Sequence, residues 1–168
     1  MSAITWQSRR LRMPEVVRDE YIQIGAWVFA TPACACTDLA SVWSAPQVRG
    51  DDRPVPGVAG VAARARVRGA IDMVLPVVVF GERDQAGEPH SNVRVGLSLN
   101  IQAMFDAILP PTGADPTRTF EHHLPGGAVR QGPCVVSSVD GPNPVGPSAV
   151  RFGVGVRIPA GVLTVVSP

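Results

Sequence analysis

The sequence has no lysine: all 15 of its basic residues are arginine. The guanidinium group of arginine is planar, weakly hydrated and rich in donors, which suits it to protein interfaces. A phosphate-binding loop of the Walker type needs a lysine and is therefore excluded. The 14 acidic residues leave a net charge of only +1, which argues against long-range capture of nucleic acid.

Charged and aromatic residues are also scarce, at 17% and 5% of the chain. An average soluble protein carries about a quarter charged residues, so much of this surface must be neutral, apolar or covered by partners. The few aromatic residues do not alternate with the arginines, as they would in a surface that stacks single-stranded bases. We expect no sequence-specific nucleic-acid partner.

The three cysteines are an odd number, and Cys34 and Cys36 are too close for an ordinary disulfide. They indicate buried thiols in a reducing compartment. A zinc site built from Cys34 and Cys36 with Cys134, His122 or His123 lacks the usual spacing, in which one C-x₂₋₄-C ligand pair is matched by a second, similar pair. The two adjacent histidines would also point to opposite faces of a strand. We expect neither a metal nor another cofactor.

Catalytic motifs are equally scarce. The sequence has no G-x-S-x-G elbow, so we expect no enzyme, although a Ser or Cys near His90, His122 or His123 remains open. The apolar run "YIQIGAWVFATPACA" is too short and interrupted to span a bilayer, and it lacks the layout of a signal peptide.

The remaining composition favours a mainly β protein. Hydrophobic residues make up 45% of the chain, and 17 glycines and 17 prolines divide it into short segments. Residues 21–30 and Met73 to Phe80 are the clearest strands, and Pro76 indicates an edge position or a bulge. Short strands return in the last part of the chain.

In one segment the apolar residues recur at the spacing of a helix rather than that of a strand. Leu97, Ile101, Met104 or Phe105, and Ile108 recur at three and four residues, which predicts an amphipathic helix at about residues 96–109 that ends before Pro110. The predicted fold is a β-sandwich or barrel with this one flanking helix.

The predicted domain organisation is an N-terminal arm, residues 1–20, followed by a single β-rich domain, residues 21–168. The arm is either a frayed terminus or a segment that docks on a neighbouring molecule. After the first strand, Thr37-Asp38 predicts the cap of a short helical turn whose buried side is Leu39, Val42 and Trp43.

The segment "RGDDRPVPGVAGVAARARVRG", residues 49–69, combines a stiff loop with a row of arginines. Its prolines favour an extended path that cannot join a central sheet. A strand from Val61 would place three arginines on one face, either solvated or against a neighbour. We predict a subunit interface formed by Arg49, Arg53, Pro54, Pro56, Arg64, Arg66 and Arg68.

Three stretches, "APQVRGDDRPVPGVAGVAARARVR", "MVLPVVVFGERDQAGEP" and "VGLSLNIQAMFDAIL", resemble the minor tail proteins of long-tailed actinobacteriophages of the siphovirus type. They also resemble the N-terminal domain of distal tail proteins. The resemblance covers roughly residues 21 to 125 and lies in an arginine before a "PG..G" loop, the "LPVVVFG" strand, a D-x-x-G turn and a helix near "GLSLN".

This resemblance implies a ring-forming structural protein of the virion. Such a ring usually has six-fold symmetry and joins the tail tube to the hub or fibres, so the implied partners are further copies of the chain and other tail proteins. Assembly would take place in the cytoplasm of the bacterial host. No membrane partner is implied.

Two alternatives remain open. The first, in the same class, is a tail tube or tail completion protein. The second is a β-sandwich carbohydrate-binding module for host recognition, which needs an exposed aromatic platform. The candidates for it are Trp6, Trp27, Trp43 and Tyr21, and two exposed rings on one face would favour this reading.

Overall fold

The computed structural model describes residues 20–43 and 69–166 in full, and the backbone of four short strand segments between them. Most of the predicted N-terminal arm, residues 1–19, lies outside the described residues. The strands run as β1 (Tyr21–Ile24), β2 (Trp27–Val28), β3 (Ala30–Thr31), β4 (Cys34–Cys36), β5 (Val48–Arg49), β6 (Arg53–Pro54), β7 (Val61–Ala62), β8 (Val67–Arg68), β9 (Ile71–Phe80), β10 (Thr117–His123), β11 (Val129–Gly146), β12 (Ala149–Ile158) and β13 (Thr164–Val166).

Nine of the described strands form one antiparallel sheet in the order β2-β1-β10-β11-β12-β9-β4-β3, with β13 beside the start of β11. The two ends of this path, β2 and β3, are separated in the chain by Phe29 alone. The Phe29 amide donates to the Ile22 carbonyl at 2.9 Å, and the Phe29 carbonyl accepts from the Cys36 amide at 3.0 Å. The path therefore closes on itself, and the predicted β-sandwich-like fold with one helix is confirmed.

The core fills the inside of this curled sheet because the long strands alternate. In β9, Ile71, Met73 and Leu75 are buried while Asp72 and Val74 are exposed. Residues at i and i+2 of a strand share one face, so this alternation turns one row of apolar side chains inward. Pro76, which has no amide hydrogen, lies just beyond the β4–β9 ladder, which begins at Val77.

The buried cysteines are part of this core. Burial raises the pKa of Cys34 to about 12 and that of Cys134 to about 11. Both thiols therefore stay protonated at neutral pH. Only the deprotonated thiolate is a good nucleophile or metal ligand.

The helix α1 spans Val93–Ile108, three residues longer at its start than the predicted segment. It begins at Val93 because the Asn92 side chain accepts from the Arg94 and Val95 amides, at 3.0 and 3.2 Å. Met104 and Ile108 are buried as predicted. The Phe105 ring packs edge-on against Phe152, with centroids 5.5 Å apart.

The first turn of α1 approaches the end of β9 too closely for a side chain between them. A Cβ on Gly96 would collide with the Gly81 carbonyl and the His90 ring, and a Cβ on Gly81 would collide with the Val93 carbonyl. These two glycines let backbone pack on backbone.

The predicted helical turn after β4 is a 3₁₀ helix, η1 (Ala40–Trp43). The Asp38 carboxylate caps it by accepting from the Ala40 amide at 2.8 Å. Val42 is buried, and Leu39 packs against the core. The prediction is wrong for Trp43, which is 57% exposed. A 3₁₀ turn has three residues per turn and places consecutive side chains on different faces, so Val42 and Trp43 diverge.

Candidate interaction surfaces

The predicted interface segment pairs with itself. Strand β5 pairs with β8, and β6 pairs with β7, both antiparallel, as two-stranded sheets separate from the main one. The backbones of Arg49, Arg53, Pro54 and Arg68 lie in these strands. Pro56, Arg64 and Arg66 lie outside the described residues. The expectation that this segment stays out of the main sheet holds for the described strands, and the interface role stays a prediction.

The outer face of α1 is uncharged between Arg94 and Asp106. It consists of exposed residues, namely Val95, Ser98, Leu99, Gln102 and Ala103. Val95 and Leu99 are 56% and 55% exposed and lie one turn apart, so they form one apolar patch. We call these five residues the α1 face.

A hydrogen-bonded loop fixes the α1 face relative to the sheet. Buried Asn100 donates from Nδ2 to the Phe80 carbonyl at 2.6 Å and to the Arg83 carbonyl at 2.7 Å. The Arg83 guanidinium donates to the Gly87 carbonyl at 2.7 Å. A buried amide that makes two such bonds resists displacement because its loss leaves two carbonyls unpaired. The helix is thus held rigidly.

A second cluster gathers where β1 begins. His122, in β10, is fully buried and donates from Nε2 to the Glu20 carboxylate at 2.7 Å. The Trp43 ring stands edge-on to the His122 ring, with centroids 5.2 Å apart. The Arg130 guanidinium lies 4.8 Å from the centre of the same Trp43 ring, a cation–π contact.

Two polar atoms in this cluster lack a hydrogen-bond partner among the described residues: Nδ1 of His122 and a terminal guanidinium nitrogen of Arg130. Burial lowers the pKa of His122, and the Arg130 and His123 charges act in the same direction, whereas Glu20 raises it. The net direction favours neutral His122. Arg130 forms no ion pair with a described carboxylate.

The predicted divergence of the adjacent histidines is confirmed. His123 is on the opposite face from His122, where its ring stacks on Tyr21 with centroids 4.2 Å apart and bonds Glu121 at 3.0 Å. Nε2 of the third histidine, His90, lies 3.4 Å from the side-chain Oδ1 of Asn100. The hydrogen-bond partners of the three rings among the described residues are thus amide or carboxylate groups.

Strand β13 extends a row of cross-strand neighbours of the main sheet to an exposed position. Ile22, His122, Arg130 and Val165 lie opposite one another across β1, β10, β11 and β13, so they share one face. This row runs from buried Ile22 to Val165, which is 58% exposed. All three residues of β13 are exposed, and its only described ladder is the one to β11.

We call Trp43, Arg130, Val165 and Val166 the β13 edge. The β13 edge and the α1 face belong to different elements and share no residue. Trp43 of the β13 edge contacts His122, whose partner Glu20 precedes β1, whereas the chain just after β1, at Gly25, lies near the Ala107 carbonyl of α1. The molecule therefore has two exposed, weakly charged surfaces of different shape and chemistry.

Sequence reasoning missed the β13 edge. "GVLTVVSP" indicates a strand, but Val165 meets Arg130 only through the register of β13 on β11. Of the aromatic rings proposed as a sugar platform, Trp27 is buried, Tyr21 is half-buried and Trp43 is exposed, while Trp6 lies outside the described residues. The described residues thus hold one strongly exposed ring, not two.

Comparisons with known proteins leave the family open. No protein-family model matches the chain, and no curated protein matches its sequence. Among solved structures, the chain is similar to the Dit protein of phage SPP1, described as a paradigm of the hub adsorption apparatus in phages that infect Gram-positive bacteria. The TM-score is 0.49 at 8% identity, over 83% of this chain. The chain spans about half (49%) of the length of that protein.

Neither α1 nor η1 has the length and apolar character of a membrane-spanning helix.

Proposed function

We propose that this protein is a structural, non-enzymatic subunit of a bacteriophage tail tip. Its copies form a ring that joins the tail tube to the hub or fibres. The observation that carries the proposal is the pair of exposed, weakly charged surfaces, the α1 face and the β13 edge. A ring subunit contacts its neighbours head to tail and also needs a surface for the proteins that the ring joins. We assign the α1 face to the ring contact and the β13 edge to a joined protein.

The chemistry of these surfaces supports an assembly role. Exposed apolar patches on soluble proteins mark interaction sites when they are contiguous. Val95 and Leu99 form such a patch on a helix that Asn100 and the two glycines hold in place. Rigid surfaces lose little conformational entropy on binding, which favours repeated identical contacts. The sequence resemblance to phage tail proteins supports a role for this assembly in a virion tail, where rings usually have six-fold symmetry.

The test is assembly of the purified chain, followed by mass photometry and negative-stain imaging. We expect closed rings, six-fold in projection. Leu99→Asp places a charge in the α1 face and should weaken assembly at least tenfold while leaving the circular dichroism spectrum and melting temperature unchanged.

The matched control is Val74→Asp, which places the same charge at an exposed valine of β9 outside both surfaces. It should assemble like the parent chain. A parent chain that stays monomeric at high concentration contradicts the proposal, as does equal loss of assembly in both variants.

A further inference from the structure

We propose that the β13 edge receives an extended segment of another polypeptide that carries a carboxylate side chain. The segment adds as a strand beside β13, and its carboxylate binds Arg130. This inference rests on the proposed assembly role, in which a tail protein or hub protein supplies the segment, but its test does not require a ring.

The first argument is the free edge of β13. Its backbone groups on the side away from β11 have no strand partner among the described residues. An edge of this kind binds extended peptides by main-chain hydrogen bonds, and alternate side chains add specificity. Folded proteins usually protect exposed edges with charges, prolines or covering segments. β13 instead presents Thr164, Val165 and Val166, all exposed.

The second argument is charge. Arg130 is the cation in the row that ends at Val165, and it forms no ion pair with a described carboxylate. The carboxylates of Glu20 and Glu121 are engaged elsewhere, Glu20 by His122 and Glu121 by His123. One terminal guanidinium nitrogen of Arg130 is buried without an acceptor. An incoming carboxylate supplies both the missing acceptor and the opposite charge.

The third argument is distance. A strand added beside β13 places one residue opposite Val165, on the same face as Arg130. Its Cα would lie two strand spacings from that of Arg130, about 9–10 Å away. The long side chains of arginine and glutamate together bridge such a gap, and their methylene groups would cover Val165.

Binding of a carboxylate requires the Trp43 side chain to shift. The unpartnered nitrogen of Arg130 is shielded from solvent, whereas the Trp43 ring that covers the guanidinium is 57% exposed. A carboxylate therefore reaches that nitrogen when the ring shifts from Arg130. Tryptophan and arginine are also the residue types that dominate binding energy at protein interfaces.

The experiment uses the full chain, diluted below its assembly range, and three blocked peptides of β-forming residues. They are acetyl-Thr-Val-Glu-Val-Thr-amide and the same peptide with glutamine or lysine at its centre. Binding is measured by calorimetry and by tryptophan fluorescence. We expect the glutamate peptide to bind at least tenfold more tightly than the glutamine peptide, with a fluorescence change that Trp43→Phe removes.

Arg130→Gln should abolish the preference for glutamate, whereas Arg151→Gln, at an exposed arginine of β12, should retain it. Equal affinities for the three peptides, no binding at millimolar concentration, or a preference that survives Arg130→Gln would each overturn the proposal. If Arg130→Gln changes only the self-association of the chain and not peptide binding, the occupant of the β13 edge is a second copy and the proposal fails. Ring assembly without peptide binding removes this inference but leaves the proposed function standing. Peptide binding without ring formation contradicts the proposed function but leaves this inference standing.

Discussion

At the scale of single residues, we predict that His122 contributes to the loss of stability in acid. It is buried, it donates to Glu20, and burial lowers its pKa below the ordinary 6.5. The folded state therefore binds a proton on His122 less readily than the unfolded state. The free energy of unfolding should fall as the pH drops from about 6.5 towards the lower pKa of the folded state. Urea unfolding at pH 7.5, 6.5 and 5.5 measures this loss.

The comparison that isolates His122 is His122→Asn, because an asparagine amide does not titrate in this range. The variant will be less stable than the parent at pH 7.5, but its stability should change less between pH 7.5 and 5.5. The substitution changes the surroundings of His122 and its partner Glu20, so the difference in pH slope reports this pair. Identical slopes would mean that His122 does not control the acid response.

At the scale of elements, α1 depends on its contact with the end of β9. In an ordinary helix, Gly→Ala stabilises by about 1 kcal/mol. Here Gly96→Ala should lower the free energy of unfolding by about 1–3 kcal/mol, because the new methyl group collides with the Gly81 carbonyl and the His90 ring. Chemical denaturation of parent and variant gives the value.

The control for that substitution is Gly146→Ala, where a Cβ meets no atom within 4 Å. It should change stability by no more than about 0.5 kcal/mol. A stabilising Gly96→Ala would show that the helix is free to move away from β9, and the α1 face would then lack the rigid support that we describe.

At the scale of the whole molecule, the described strands β5 to β8 stand apart from the main sheet. They pair only with one another, and the described strands of the main sheet close without them. Replacement of Arg64, Arg66 and Arg68 by alanine should therefore weaken ring assembly at least tenfold and leave the melting temperature of the domain nearly unchanged. Mass photometry and calorimetry on the same samples separate the two effects.

A control with Arg94→Ala and Arg151→Ala removes exposed arginines from α1 and β12 instead. It tests whether loss of positive charge alone weakens assembly. Equal loss of assembly in both variants would assign the arginine row to general charge. Parallel loss of assembly and stability in the triple variant would assign it to folding. Either result would contradict an interface role.

The local sequence determined the elements of this protein. The continuous apolar run from Met73 to Phe80 indicates a strand, and the three- and four-residue spacing from Leu97 to Ile108 fixes which side of the helix is apolar. Both are properties of neighbouring residues. The strand at Met73 to Phe80 and the single helix could therefore be predicted, with an error of three residues at the helix start, where the Asn92 cap was not recognised. Residues 21–30 were predicted as one strand, but the chain turns back after Ile24 and β1 pairs with β2.

Only the tertiary structure decided which surfaces exist. Closure of the sheet through Phe29, the exposure of Trp43, and the row from Ile22 to Val165 all depend on pairings between residues far apart in the chain. A strand of alternating residues can pair in several registers, and a shift of one residue exchanges its two faces. The sequence thus specifies what each strand can bury, but the assembled sheet determines which side chains meet at the β13 edge.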